Sequence, residues 1–189
     1  MNPAIRSAVF TPAANSERGS LERFIAERFR LVYGACVAHF CAQLVGVRDA
    51  QGRWQAGAGY TAADSGALYL ENYLDTPVEA ALERAAGRPV PRNRVAEIGN
   101  LAAFPGMGRA LIPALGRHLY ALGFRWVAFT GTRELGNALR RLNLEPLVLA
   151  AAAPARLPDG GAAWGTYYAH HPSVMGGPIA ACLRAGEGA

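Results

Sequence analysis

The sequence contains no lysine, since all nineteen of its basic residues are arginine. A Schiff-base lysine and a phosphate-loop lysine are therefore excluded, and several enzyme classes with them. Cysteine is scarce. Cys36, Cys41 and Cys182 are an odd number without metal-ligand spacing, and they read as small buried hydrophobes in a reducing compartment. No run of about 18 apolar residues occurs, and the opening Met1-Asn2-Pro3-Ala4-Ile5-Arg6 lacks an apolar core ending in a small-residue cleavage site. The expectation is a cytoplasmic protein without integral membrane association. The four histidines, His39, His118, His170 and His171, form no two-histidine helical metal motif, and adjacency points the last two to opposite faces. No Gly-x-Ser-x-Gly elbow is present. Zinc and serine hydrolase readings fall, and no metal site is predicted.

What is present suits one sizeable core: 189 residues, 51% hydrophobic and 17% charged. The expected organisation is a loose polar arm over 1–19, one domain over 20–180 and a flexible tail over 181–189. The net charge of +5 is spread over scattered arginines such as Arg53, Arg84, Arg92, Arg117 and Arg156. That distribution favours an evenly solvated basic surface over a dedicated nucleic-acid patch.

Leu21, Phe24, Ile25, Phe29, Val32 and Tyr33 recur at helical spacing, which predicts a helix over about 21–37 with Ser20 as its cap. Phe40–Val47 and Trp54–Tyr60 read as an antiparallel hairpin about the turn Asp49-Ala50-Gln51-Gly52. Residues 66–74 suit a short helix or a strand. Asp75-Thr76-Pro77 opens a helix that ends at Gly87. A strand over Val95–Ala102, a glycine-bearing turn at Phe104–Gly108 and a helix ending at Gly123 follow; Pro113 implies either a start near Ile112 or a kink. Arg125–Thr130 reads as a strand, Arg133–Leu142 as a helix, Pro146–Ala152 as a strand and Trp164–Ala169 as the last one. Together these predict an α/β fold, a mixed sheet with helices on both faces.

The unit from Val95 to Gly123 carries the chemistry. Glycines at 106 and 108 let the backbone approach a phosphate or thioester, and the following helix N-terminus offers free amides to an anion. A plain tight turn would use the same residues. Glu97 adds to this, because a carboxylate inside a strand that otherwise reads as buried is costly unless it is paired or functional. An arginine partner is the structural alternative. Strict alternation puts Glu97 and Gly99 on one face and Asn100 on the other, so Glu97 and Asn100 converge only across a bulge.

The string Glu97-Ile98-Gly99-Asn100-Leu101-Ala102 lies between Tyr69-Leu70-Glu71-Asn72-Tyr73-Leu74 and Trp126-Val127-Ala128-Phe129-Thr130-Gly131-Thr132, with Asn137, Arg141-Leu142 and Trp164-Gly165-Thr166-Tyr167-Tyr168 downstream. In this order the blocks resemble the thermostable haemolysin family over roughly 21–178. That family is similar in fold to the acyl-homoserine lactone synthases and GCN5-related N-acyltransferases, so the resemblance implies a mostly antiparallel sheet. It implies an N-acyltransferase whose co-substrate is a phosphopantetheine thioester, on acyl carrier protein or coenzyme A, with a small amine as acceptor. Glu97 and Asn100 become candidate catalytic residues. Leu101, Gly106, Met107, Gly108, Arg109, Thr130, Thr132 and Asn137 become candidates to hold pantetheine or substrate. The sequence departs from the acyltransferase pattern at Ala103, where the pyrophosphate-loop signature opens with Arg or Gln, and in having no Tyr after Asn137. A carrier-protein thioester, lacking the nucleotide diphosphate, needs less of that loop. The competing reading is a membrane-active cytolysin.

Overall fold

The computed structural model describes residues 9–185, in which a seven-stranded sheet is the frame. In chain order its elements are β1 (Val9–Pro12), α1 (Asn15–Tyr33), β2 (Gln43–Arg48), β3 (Trp54–Ala62), α2 (Val78–Ala86), β4 (Val95–Ala103), α3 (Gly108–Ala121), β5 (Trp126–Gly131), α4 (Arg133–Arg140), β6 (Leu147–Ala151), β7 (Ser173–Pro178) and α5 (Ala180–Ala185). The strand order is β1-β2-β3-β4-β5-β7-β6, and only β4 and β5 run parallel. Alternation along each strand feeds two cores. Val95 packs with Leu82 and Val174 beneath α2, whereas Ala96 packs with Leu111 and Leu115 beneath α3. Leu21 and Ile25 of α1 press onto Gly57 of β3 so closely that a Cβ there would lie 2.8 Å from Leu21 Cδ1. Helices thus cover both faces, α1 and α2 on one and α3, α4 and α5 on the other.

Several expectations are corrected, each for a tertiary reason. From Val9 the predicted arm is an edge strand paired with β2, and α1 begins at Asn15; residues 1–8 lie outside the described residues. Ser20 caps nothing: its hydroxyl donates to the Glu17 carbonyl (2.7 Å) and accepts from Trp54 Nε1 (3.0 Å). Residues 69–73 form a 3-10 turn. The predicted strand at 164–169 is two 3-10 turns, 162–164 and 167–170, broken at Gly165 with φ +53°. The last strand is β7 instead. Within its Ser-Val-Met-Gly-Gly-Pro sequence, Gly176 is needed where Leu82 and the Val127 carbonyl crowd it, each 2.7 Å from where a Cβ would stand. The tail expected from 181 is helical to Ala185, α5 docking on α3 through Cys182 against Gly116. Residues 186–189 lie outside the described residues. Helix α3 starts at Gly108, so Pro113 lies inside it. Cys36 is exposed and Cys41 and Cys182 only partly buried.

Strands β4 and β5 pair from Val95↔Trp126 to Ile98↔Phe129 and then part. Beyond Ile98 the β5-facing edge of β4 has no strand partner, while β5 continues along β7 to Gly131. This splay opens the sheet at its centre.

Candidate active site

The splay is the mouth of a cleft of about 660 Å³ that passes from one face of the sheet to the other. Its two halves differ in chemistry. On the α3 side the wall is aliphatic, with Leu101, Ile112, Leu115, Val127, Leu139 and Ile179. On the α1 side it is aromatic, with Phe29, Tyr33, Tyr69, Tyr73, Trp164 and Tyr167. These rings touch one another: Trp164 and Tyr167 centroids are 5.5 Å apart, and the Tyr73 and Tyr168 hydroxyls are 2.6 Å apart.

Glu97 stands on the aromatic side of β4, 7% exposed. It has no arginine partner; among the described residues the nearby guanidinium of Arg92 goes to Glu71 (2.6 Å) and Glu79 (2.7 Å). The Glu97 carboxylate instead accepts the first amides of the 3-10 turn, Tyr69 N–H on Oε2 and Leu70 N–H on Oε1, both at 2.9 Å. Burial raises its pKa to about 7, although those two amides act downward; the nearby Glu71 carboxylate adds to the rise. Glu71 behaves oppositely. Burial pushes it up, but Arg92 and the amides of Leu68 and Val78 outweigh that and hold it at about 2. Two carboxyls that meet at the same turn, Glu71 within it and Glu97 on its first amides, are thereby driven apart in acidity, leaving Glu97 as the one able to exchange a proton near neutrality.

The bulge that Glu97 and Asn100 require is present. From Gly57↔Ala102 to Gly59↔Gly99, β3 advances two residues and β4 three. Asn100 itself takes the left-handed conformation, φ +52°, which Asn tolerates better than most residues. Its side chain ties down the segment after α1: Oδ1 accepts the Cys41 amide (2.8 Å) and Nδ2 donates to the His39 carbonyl (3.0 Å). Asn100 is thus placed as a positioning residue that holds one wall of the cleft. Asn100→Ala should leave the Cys41 amide without a partner and cost about 1–3 kcal/mol in denaturant unfolding. Hydrogen exchange at that amide should speed up with it; an unchanged exchange rate would show that another contact holds the segment.

Of the other sequence candidates, Leu101, Gly108, Thr130 and Thr132 line the cleft. The Thr130 hydroxyl is buried without a partner among the described residues, whereas Thr132 caps α4 by accepting the Leu135 amide (3.4 Å). Gly106, Met107, Arg109 and Asn137 do not line it. Met107 is a core residue, 4% exposed, whose amide donates to the Phe104 carbonyl (3.0 Å). Arg109 is exposed at the start of α3, and Asn137 is turned outward to accept Arg140 Nη1 (2.7 Å). Gly106 supplies only its φ of +86°, which turns the chain into α3. The Gly108 and Arg109 amides have no acceptor among the described residues, as is usual in the first turn of a helix.

Sequence reasoning missed the aromatic wall as a site, although Tyr69, Tyr73, Trp164, Tyr167 and Tyr168 cluster in two short stretches. It also missed Arg28, which stacks 4.7 Å over Phe104 beside the β4–α3 turn, its Nε buried without a partner among the described residues. No local signal marks an arginine on α1 for that place. Cys41 adjoins Glu97, but burial first, and that carboxylate second, push its thiol up to about 11, so it is no thiolate nucleophile near neutrality.

A family model described as Thermostable hemolysin matches residues 11–183. No curated protein matches the sequence. Among solved structures, FeeM, an N-acyl amino acid synthase from uncultured soil microbes, superposes with a TM-score of 0.62 at 13% identity, covering 92% of this chain and 91% of its own. TofI, solved in a ternary complex with an inhibitor and MTA, gives 0.61 at 15% identity, covering 95% of each chain. MesI, a CoA-dependent acyl-homoserine lactone synthase, gives 0.51 at 16% identity over 94% of each. At such identities the likeness establishes the shared fold.

Proposed function

This chain belongs to the thermostable hemolysin family, and from that premise we propose that it is an N-acyltransferase carrying an acyl group from a phosphopantetheine thioester to an amine. The observation that carries the reading is the cleft between the parted β4 and β5, with a buried carboxyl of pKa about 7 on its wall. A linear thioester fits a passage through the sheet, with its phosphate at the Gly108 and Arg109 amides and its acyl chain along the aliphatic half. Unpaired amides on the β5-facing edge of β4 polarise the thioester carbonyl. The amine approaches from the aromatic half. As its nitrogen bonds to the carbonyl carbon, Glu97 takes the N–H proton, directly or through a water. The tetrahedral intermediate then expels the thiolate, breaking the C–S bond, and the Glu97 carboxyl returns the proton to sulfur, whose ordinary pKa of about 8.5 makes that transfer favourable. An amide and a free thiol result. Both a carrier-protein and a coenzyme A donor meet these requirements. Ala103 in place of the loop's usual Arg or Gln favours the carrier protein, and so does the net charge of +5, since it would attract an acidic partner.

The test is to incubate the full chain with acyl-carrier-protein and acyl-CoA thioesters and an amine mixture, and to look for N-acyl products by mass spectrometry. Product is expected, with the carrier-protein rate falling as salt rises, because exposed charges are screened over about 10 Å at 0.1 M. Faster turnover of acyl-CoA, together with tight coenzyme A binding in calorimetry, would reassign the donor. Dye release from liposomes without any thioester, indifferent to Glu97→Gln, would replace the acyltransferase with a cytolysin.

A further inference from the structure

The chain carries nineteen arginines and a net charge of +5, yet among the described residues no arginine lines the cleft. Its wall carries two acidic residues, Glu97 and Glu134, and one histidine, His39, and Glu134 lies 3.5 Å from His170 Nδ1. Arg18 comes near the wall at Cys41, but its guanidinium is spent on the carbonyls of Cys41 (3.0 Å) and Ala42 (2.9 Å) and on Glu22 (2.9 Å). Around the aromatic half the surface is largely ring faces and phenol hydroxyls, and His39, Cys41, Thr61 and Asn100 also line the cleft. Tyr69 Oη already accepts Trp164 Nε1 at 3.1 Å, and it keeps a lone pair for a donor.

Such a wall discriminates by charge. Aromatic faces attract an ammonium, most strongly when it is desolvated, and Glu134, with Glu97 once it is ionised, adds to that attraction. A carboxylate on the ligand would meet no arginine among the described residues of that wall; it would be desolvated against ring faces and repelled by Glu134 and by Glu97 in its ionised form. We propose that the acceptor is an amine without a carboxylate, an aryl-alkyl, alkyl or polyamine, and not an α-amino acid, the cleft holding it as its ammonium between the aromatic wall and the two glutamates. This rests on the acyltransferase reading of the same cleft. The proton count still closes: the ammonium loses one proton to solvent, the amine nitrogen bonds to the thioester carbon as the C–S bond breaks, and its second proton passes through Glu97 to the departing thiolate.

Matched pairs that differ only by the carboxylate decide the matter: tyramine and tyrosine, agmatine and arginine, putrescine and ornithine. Each is titrated calorimetrically against the full chain without donor, then offered with an acyl thioester. The decarboxylated member is expected to bind and to react at least about a hundredfold better, since a like-charge clash of this kind is costly. Glu134→Gln, at an exposed position, should narrow that preference severalfold without loss of folding. Equal binding within the pairs, N-acyl amino acids formed as fast as N-acyl amines, or binding of none of the six would overturn the inference. The two readings fail separately. Discrimination in binding with no acyl transfer from any thioester would sink the acyltransferase and leave the amine site standing, whereas rapid acylation of the amino acids would do the reverse.

Discussion

Glu97→Gln should lower acyl transfer by about a hundredfold to ten-thousandfold, the range for loss of a positioned general base, and it should do so without destabilising the protein at neutral pH. The second half of that statement follows from the site's geometry. Both carboxylate oxygens accept a backbone amide, from Tyr69 and from Leu70. A glutamine answers one amide with its carbonyl and turns an NH2 to the other, much as the protonated carboxyl turns an O–H there. The variant therefore mimics protonated Glu97. Burial raises this carboxyl from 4.5 to about 7 on folding, so the folded state holds its proton more tightly than the unfolded chain does. The stability this contributes is complete below about pH 4.5 and is lost as the pH rises to about 7. Wild type and Glu97→Gln should thus unfold at similar denaturant concentrations near pH 4. Above pH 7 the wild type should fall below the variant, by up to the order of 3 kcal/mol. In the rate profile, wild-type turnover should rise with pH through about 7, and the variant should lack that inflection. A variant that keeps its rate within tenfold, or that is less stable than wild type at pH 8, would make Glu97 merely the cap of the 69–73 turn.

Gly165→Ala should produce the largest loss of stability, about 3 kcal/mol from a left-handed conformation in a non-glycine residue together with a clash the backbone must relieve. At φ +53° a Cβ on residue 165 would collide with the Tyr33 carbonyl. That carbonyl cannot simply withdraw, because it accepts both the amide (2.8 Å) and the hydroxyl (3.2 Å) of Thr166, while Cys36 N–H donates to the Ala163 carbonyl (2.7 Å). The end of α1 and the turns that carry Trp164 and Tyr167 would be pushed apart, opening the aromatic wall. Tm should drop by about 6–12 °C in a chain of this size. Gly87→Ala is the control: its φ is +67° but nothing lies within 4 Å of the added Cβ, so it should cost only about 1 kcal/mol. Equal losses in the two variants would remove the clash from the explanation.

These two residues stand at opposite ends of what was legible. Glu97 stood out because strand periodicity around it reads as buried, and a carboxylate in such a strand calls for a partner or a task. Helices α2 and α3 were legible for a similar local reason, apolar residues at helical spacing with glycine at or just beyond their ends. Gly165 lay inside a run of aromatics that suggests a strand, and nothing within that run reveals the carbonyl of Tyr33 waiting across from it. Strand β7 was missed because two adjacent glycines weaken its strand signal, when Gly176 is small to make room for Leu82. Met107 and Asn137 were assigned to the site by position in a motif, but one packs into the core and the other turns to Arg140.

The sequence by itself determined most of the alternation of strands and helices and the buried carboxylate, because each is written in spacing over a few residues, and it showed the family through a resemblance of blocks in order along the chain. Only the tertiary structure decided that Glu97 caps residues 69 and 70 and takes no arginine, that Asn100 binds the chain at 39–41, and that rings from 29 to 168 make one wall. It also decided that a chain so rich in arginine lines its cleft with none of the described ones. Those facts are contacts between residues far apart in sequence, set by how β4 and β5 part and by which faces then meet, and no local pattern encodes them.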